Sequence, residues 1–356
     1  MGDEVDEDLV MVRRAIAVAS AVRSTTSPNP WVGCVLRTPG GAVHEGATSP
    51  PGGPHAEVEA LAAAGPAARG ATAWTTLEPC DHHGRTGPCV DALLEAGVAR
   101  VVVGIVDPDP HVAGRGIERL RAGGVEVVVG VGADEVEDQL APYLVHRRTG
   151  RPLVVLKLAA SLDGRTAAPD GSSQWITGEA ARADAHRLRA ESDAVLVGAG
   201  TVRADDPSLT VRHVAGPDPL RVVLGRAPEG AKVHPCLELD GDLGDVLDTL
   251  GGKGVLQLLV EGGAGVAGSF HRAGLVDRYV VYLAPALFGG ADAPGLFGGA
   301  GAATMAEVWR GELTSVSHLG VDLRIDLRPL VPGGRPHPDG ATTRHARSAP
   351  PPEGDR

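Results

Sequence analysis

His55-Ala56-Glu57, Pro79-Cys80 and Cys89 are the residues of this chain best matched in type and spacing for joint chemistry. A catalytic zinc ion takes three protein ligands and keeps a fourth position for water. His55, Cys80 and Cys89 supply those three. Bound zinc brings the pKa of water toward neutrality. Glu57 follows His55 by two residues at a predicted helix start. It can face the same opening without being a ligand and carry the water proton to a leaving amine. Together they make the pattern of a zinc-dependent deaminase. The usual pattern separates its two Cys by two residues, whereas here the loop Asp81 to Pro88 intervenes. Each Cys precedes or opens a predicted helix, where the dipole and free N–H groups favour thiolate. The competing reading is two buried free cysteines and a surface histidine. Cys34 and Cys236 carry no such signal, and Cys34 sits in an apolar strand.

The pattern of apolar residues says which elements hold these groups. Leu9 to Arg23 reads as an amphipathic helix, ended by Ser27-Pro28-Asn29-Pro30. Strands follow at Val32 to Arg37, Ala71 to Thr76, Val101 to Val106 and Val125 to Val131. Helices are predicted at His55 to Ala64, Cys89 to Ala96 and Arg115 to Ala122. A connecting helix spans Asp134 to Arg148, and Thr149-Gly150-Arg151-Pro152 marks a boundary. Alternation of strand and helix implies an α/β layered sandwich. A second alternating series begins at Leu153. Its strands are Leu153 to Ala159, Ala194 to Val197, Leu220 to Leu224, Leu256 to Val260 and Arg278 to Leu283. Its helices are Gly178 to Ala190, Leu243 to Leu250 and Val266 to Ala273. This gives domains at 1–150 and 151–330. The tail 331–356, rich in Pro, Gly, His, Arg and Ser, is expected to be disordered.

In the second half no G-x-G-x-x-G follows a strand, so the standard dinucleotide fingerprint is missing. Three polar segments stand out: Lys157 to Arg165, Ser172 to Thr177, and Val197 to Pro207. Val260-Glu261-Gly262-Gly263-Ala264-Gly265 then joins a strand to a helix. Glycines at such a turn let backbone N–H groups approach a phosphate. Taken singly, each is also compatible with a tight turn.

The loop between the two Cys is the most specific stretch. Glu78-Pro79-Cys80-Asp81-His82-His83-Gly84-Arg85-Thr86-Gly87-Pro88-Cys89 closely resembles the bifunctional riboflavin-biosynthesis deaminase/reductase family. So do Asn29-Pro30-Trp31-Val32-Gly33, Asp107-Pro108-Asp109-Pro110 and Val112-Ala113-Gly114-Arg115-Gly116. The resemblance implies a cytidine-deaminase-like three-layer sandwich followed by a dihydrofolate-reductase-like domain that uses NADPH. It implies contacts from Asn29 and His82 to base or ribose, with Arg85 on the phosphate. In the reductase half it puts Ala159, Trp175, Thr201, Asp205, Gly262, Gly263 and Gly265 against the cofactor. Ser173, Arg189, Leu209, Arg212 and Glu261 then face the substrate, and Lys157 lies near the reacting carbon. The implied sequence of reactions is deamination of a phosphoribosylamino-pyrimidine, then reduction of its opened ribose to a ribityl chain. Asp81 and Gly87 depart mildly from the family pattern. The stretch between Leu224 and Val255 is short where many members carry more chain, including an extra strand. That makes the adenosine side of the NADPH pocket the part most open to change.

Composition agrees with two ordinary domains. The chain has 356 residues, 43% hydrophobic, with a formal net charge of -12. That balance opposes a broad nucleic-acid footprint and so a nucleic-acid-editing deaminase. No apolar run is long enough to span a bilayer. The acidic start, Met1 to Asp8, is unlike a secretory signal, and four cysteines make no disulfide framework. A cytoplasmic enzyme follows, and the resemblance adds a homo-oligomer, at least a dimer. Two further readings stay open at this point. One is a deaminase with an inactive reductase-like domain. The other is a relative acting on a similar pyrimidine in a specialised pathway.

Overall fold

A computed structural model describes residues 2–83 and 87–330. Arg85 and the tail 331–356 lie outside the described residues. The first sheet is built from β1 (Gly33–Arg37), β2 (Val43–Ala47), β3 (Thr72–Leu77), β4 (Arg100–Ile105) and β5 (Glu126–Val129), in the order β2-β1-β3-β4-β5. β1 runs antiparallel to β2 and β3, and β3, β4 and β5 are parallel. Helices α1 (Gly2–Ser20) and α5 (Ala133–Thr149) cover one face. Helices α2 (Ala56–Ala64), α3 (Cys89–Ala96) and α4 (Arg115–Ala122) cover the other. The result is the three-layer sandwich expected. Two glycines set the packing distance: a Cβ at Gly33 would meet the Ala15 carbonyl of α1 at 2.0 Å, and one at Gly46 the Ala56 carbonyl of α2 at 2.1 Å.

Two local features differ from the expected elements. α1 begins at Gly2 rather than near Leu9, and the acidic residues Asp6, Glu7 and Asp8 lie in its N-terminal half, where the helix dipole favours negative charge. Strand β2 was not expected from Val-His-Glu-Gly-Ala, whose polar residues hide a pairing that only β1 supplies.

The second sheet starts at β6 (Leu153–Ser161) and continues through α6 (Glu179–Ala190), β7 (Ala194–Gly198), α7 (Ala199–Asp205), β8 (Leu220–Leu224), β9 (Leu237–Leu239), α8 (Leu243–Gly252), β10 (Gln257–Val260), α9 (Ala264–Arg272), β11 (Arg278–Ala284), β12 (Gly311–Leu319) and β13 (Asp322–Pro329). Its order is β12-β13-β11-β6-β10-β7-β8-β9. The six strands from β11 to β9 are mutually parallel, and the β12–β13 hairpin closes one side antiparallel. Buried parallel strands are apolar on both faces. Val154, Leu156, Leu196 and Leu258 face α8 and α9, while Val155, Val195, Val197 and Leu259 face α6 and α7. The short segment after Leu224 was expected to lack a strand. It contains β9, three residues paired parallel to β8. Among the described residues no helix is long and apolar enough to cross a membrane.

Candidate active sites

β3 ends at Leu77 and delivers Glu78-Pro79-Cys80 to the C-terminal edge of the first sheet. His55 is the N-cap of α2, in extended conformation, so its ring projects past the helix end. Cys89 opens α3. These three chain segments bring their ligand atoms within 4.8 Å of one another. His55 Nδ1 lies 3.5 Å from Cys80 Sγ and 3.3 Å from Cys89 Sγ. Two ligands on a tetrahedral zinc with ordinary Zn–S and Zn–N bonds stand about 3.5 Å apart. The donor set and its spacing therefore fit zinc. The Cys89 N–H points at Cys80 Sγ, 3.4 Å away, and favours a thiolate there. The hydrogen bond from the Cys89 thiol, more than any other contact, pushes the Cys80 thiol down and Cys89 up.

Glu57 lies in the first turn of α2 and is only 3% exposed. Burial raises its carboxyl pKa above the ordinary value, and the nearby Cys80 adds to the rise. A carboxyl so placed can hold a proton and release it, as a proton carrier must.

A cavity of about 350 Å³ opens on this cluster. Its walls include Asn29, His55, Glu57, Cys80 and His82, so the structure brings those predicted residues together. Four further wall residues had no predicted role: Asp107, Asp109, Tyr143 and Arg147. The Tyr143 hydroxyl donates to the Asp107 carboxylate, 3.1 Å from each oxygen. Burial lifts Asp107 to about 6. The Arg147 guanidinium lies 5.1 Å over the Tyr143 ring and 3.5 Å from Asp109. Asp107 and Asp109 follow β4, where the edge of a parallel sheet takes ligands. That position was the available signal. Tyr143 and Arg147 come from α5, which reads from sequence as a connector.

Glu78 is an organiser. Its carboxylate accepts N–H bonds from Gly114 at 2.9 Å, Gly116 at 3.0 Å and Asp107 at 3.2 Å. This ties the strand-end loop to the N-terminus of α4. The close approach requires Gly116, since a Cβ there would lie 2.0 Å from the Pro79 carbonyl oxygen. Asp81, a departure from the family pattern, pairs with Arg119 of α4, which also holds Asp91.

A second cavity, about 550 Å³, lies beyond the C-terminal ends of β6, β7 and β10. Lys157, Ala159, Ser173, Thr201, Asp205, Glu261, Gly262, Gly263 and Gly265 all line it. At the start of α9 the chain presents the backbone N–H groups of Ala264 and Gly265, a feature suited to a phosphate. The Thr201 hydroxyl accepts from the Gly263 N–H at 3.2 Å and joins α7 to this turn. Glu261 receives a two-pronged bond from Arg189, at 2.5 and 3.0 Å, and Lys157 Nζ lies 3.9 Å from it. Burial alone would raise the Glu261 carboxyl, but Arg189 and Lys157 outweigh it and hold the pKa low. Burial pushes the Lys157 ammonium down, only partly offset by Glu261.

Four predicted residues are not on the wall of this cavity: Arg189, which stands behind Glu261, and Trp175, Leu209 and Arg212. Trp175 is 69% exposed, with the Arg182 guanidinium 4.8 Å over its ring. Leu209 is buried in the core with a positive φ of 53°. Arg212 donates its backbone N–H to His186 Nδ1 at 3.1 Å and its guanidinium to Thr210.

Comparison with known proteins places both halves. Residues 6–105 match the cytidine and deoxycytidylate deaminase zinc-binding region, and residues 152–325 match the RibD C-terminal domain. The riboflavin biosynthesis protein RibD of Escherichia coli K12 is 41% identical, over 90% of this chain and 99% of its own length. That of Mycobacterium tuberculosis H37Rv is 44% identical, over 88% and 95%. Acinetobacter baumannii RibD superposes with a TM-score of 0.86 at 39% identity, covering 92% of this chain and 100% of its own. The Thermotoga maritima diaminohydroxyphosphoribosylaminopyrimidine deaminase/5-amino-6-(5-phosphoribosylamino)uracil reductase gives 0.83 at 33%, covering 92% and 99%. With a zinc-type triad in one half and a reductase cavity in the other, the chain belongs to the RibD family of bifunctional riboflavin-biosynthesis enzymes, a zinc deaminase joined to an NADPH-dependent reductase.

Proposed function

We propose that residues 1–150 deaminate 2,5-diamino-6-(5-phosphoribosylamino)pyrimidin-4-one, and that residues 151–330 reduce the ribosyl group of the product to ribityl. The observation that carries this reading is the 350 Å³ cavity joining His55, Cys80 and Glu57 to Asn29 and His82. When bound, zinc lowers the pKa of water enough to supply a nucleophile at neutral pH. His55, Cys80 and Cys89 hold it. Glu57 takes the proton from the attacking water and returns it to the departing amine, so that water enters and ammonia leaves. Asn29 and His82 orient the base and ribose, and Arg85 holds the phosphate.

NADPH bound in the second cavity would supply a hydride to the ribose carbon. Gly262, Gly263, Gly265, Thr201, Asp205 and Ala159 would hold the cofactor, with Trp175 standing outside the cavity wall. Ser173 and Glu261 face the substrate from the cavity wall and Arg189 holds Glu261 in place, while Leu209 and Arg212 stand outside that wall. Lys157 delivers the accompanying proton. Its lowered pKa makes it a readier acid than a solvated lysine, and Glu261 keeps it aimed into the cavity.

The enzyme is proposed to be cytoplasmic and at least dimeric. Support for association comes from the edge strand β12, where Leu313 and Val316 are 56% and 53% exposed on an unpaired side of the sheet. The test of the two-step reading is direct. Purified protein given the deaminated intermediate and NADPH should oxidise the cofactor. No loss of NADPH absorbance would remove the reductase assignment.

A further inference from the structure

The segment between β8 and α8 brings His234, Cys236 and Glu238 together, with their ligand atoms within 4.8 Å of one another. They stand at alternate positions of His-Pro-Cys-Leu-Glu, with His234 and Cys236 in the loop that leads into β9. Glu238 itself lies in β9, the outermost strand of the second sheet. His234 Nδ1 stands 3.5 Å from Cys236 Sγ, the same separation as His55 Nδ1 from Cys80 Sγ.

The outer contacts are those that orient metal ligands. His234 Nε2 donates to the Pro228 carbonyl at 3.1 Å, which leaves the lone pair on Nδ1, toward Cys236. Glu238 is fixed from behind: one oxygen accepts the Ala227 N–H at 2.9 Å, the other the Arg226 guanidinium at 2.9 Å. Each carboxylate oxygen keeps a second lone pair. A thiol-to-imidazole hydrogen bond would explain the 3.5 Å contact alone. It would not explain a carboxylate held on the same point. His234 is exposed and the other two are half-buried, so water has access to a fourth position.

We propose that His234, Cys236 and Glu238 form a second metal site, separate from the deaminase centre. One nitrogen, one sulfur and one oxygen donor suit a borderline-soft divalent cation of the zinc type. The site closes the strap from Arg226 to Glu238. In the same strap the Lys232 N–H donates to Asp206 at 2.8 Å, and its ammonium lies 3.2 Å from that carboxylate. Asp206 follows Asp205 on the wall of the second cavity. A cation here would therefore brace the edge of the sheet behind that wall.

Titration of the metal-stripped full chain with Cd²⁺, followed by sulfur-to-cadmium charge-transfer absorbance, tests the site. Two equivalents are expected for the parent and one for Cys236→Ser. His234→Ala, a surface change, should also bind one, which keeps the test decisive if the half-buried Cys236 cannot be replaced. Both variants should deaminate at the parental rate once zinc is restored. Saturation of the parent at one equivalent would overturn the proposal, as would two equivalents in His234→Ala.

Discussion

Glu57 is the side chain whose replacement separates metal binding from chemistry. Glu57→Gln removes the proton carrier and spares all three ligands. It should keep one zinc per triad and lose deamination by about 10²-fold or more. Ammonia release and metal analysis on the same sample check both halves of that expectation. Cys89→Ser should do the reverse first: zinc content falls, and activity with it. Retained stoichiometric zinc at His55 and Cys80 would mean the ligand set is different. At this scale the triad and Glu57 were legible because zinc catalysis constrains residue type and spacing within short segments. Tyr143, Asp107 and Arg147 were not. They reach one cavity from α5 and from the loop after β4, and their meeting depends on the order of strands and helices. Arg189 and Glu261, 72 positions apart, were legible only through family resemblance. The bond between them became visible with the fold.

Among the elements, α1 is fastened to the sheet by a buried charge pair. Asp8 receives two bonds of 2.8 Å from Arg100 and one of 2.8 Å from the indole of Trp74. Burial would raise the Asp8 carboxyl, yet those bonds outweigh it and the pKa falls below its ordinary value. The sign follows directly. The folded state holds the proton less tightly than the unfolded chain, so the contribution is present above the unfolded value of about 3.9 and is lost as pH drops through the folded one. Asp8→Ala should destabilise the first domain by about 2 kcal/mol, less than a fully buried pair because Glu126 still partners Arg100. Denaturant unfolding of parent and variant at neutral pH and near pH 3 would show the gap narrowing in acid. A gap that stays constant would mean that packing, not charge, fastens the helix. Long apolar elements such as β4, β6, β7 and β10 were readable from periodicity. β2, β9 and the β12–β13 hairpin were not, because their residues are polar or exposed and their conformation comes from the neighbouring strand. α7 was hidden for another reason: Gly198 to Asp205 reads as a small-residue loop, and its last residue is followed by Asp206 in left-handed conformation.

For the molecule as a whole, the two sheets are joined by α5 and by a few polar contacts. Arg23 reaches Gln257 at 2.7 Å, His146 reaches the Gly251 carbonyl at 3.0 Å, and Arg278 pairs with Asp138 at 2.5 Å. No ligand of the triad belongs to the second sheet. Loss of the triad zinc alone, through Cys89→Ser, should therefore abolish deamination and leave NADPH oxidation on the deaminated intermediate within about twofold, since domains with separate cores act independently. A parallel loss of both activities would show that the first domain supports the second. The proposed order within one chain is deamination first and reduction second. It is tested by offering the parent and Glu57→Gln the diamino substrate with NADPH while recording ammonia and cofactor absorbance together. The parent should release ammonia first and then oxidise NADPH in equal amount, and Glu57→Gln should do neither until given the deaminated intermediate. NADPH oxidation by Glu57→Gln on the diamino substrate itself would contradict the account.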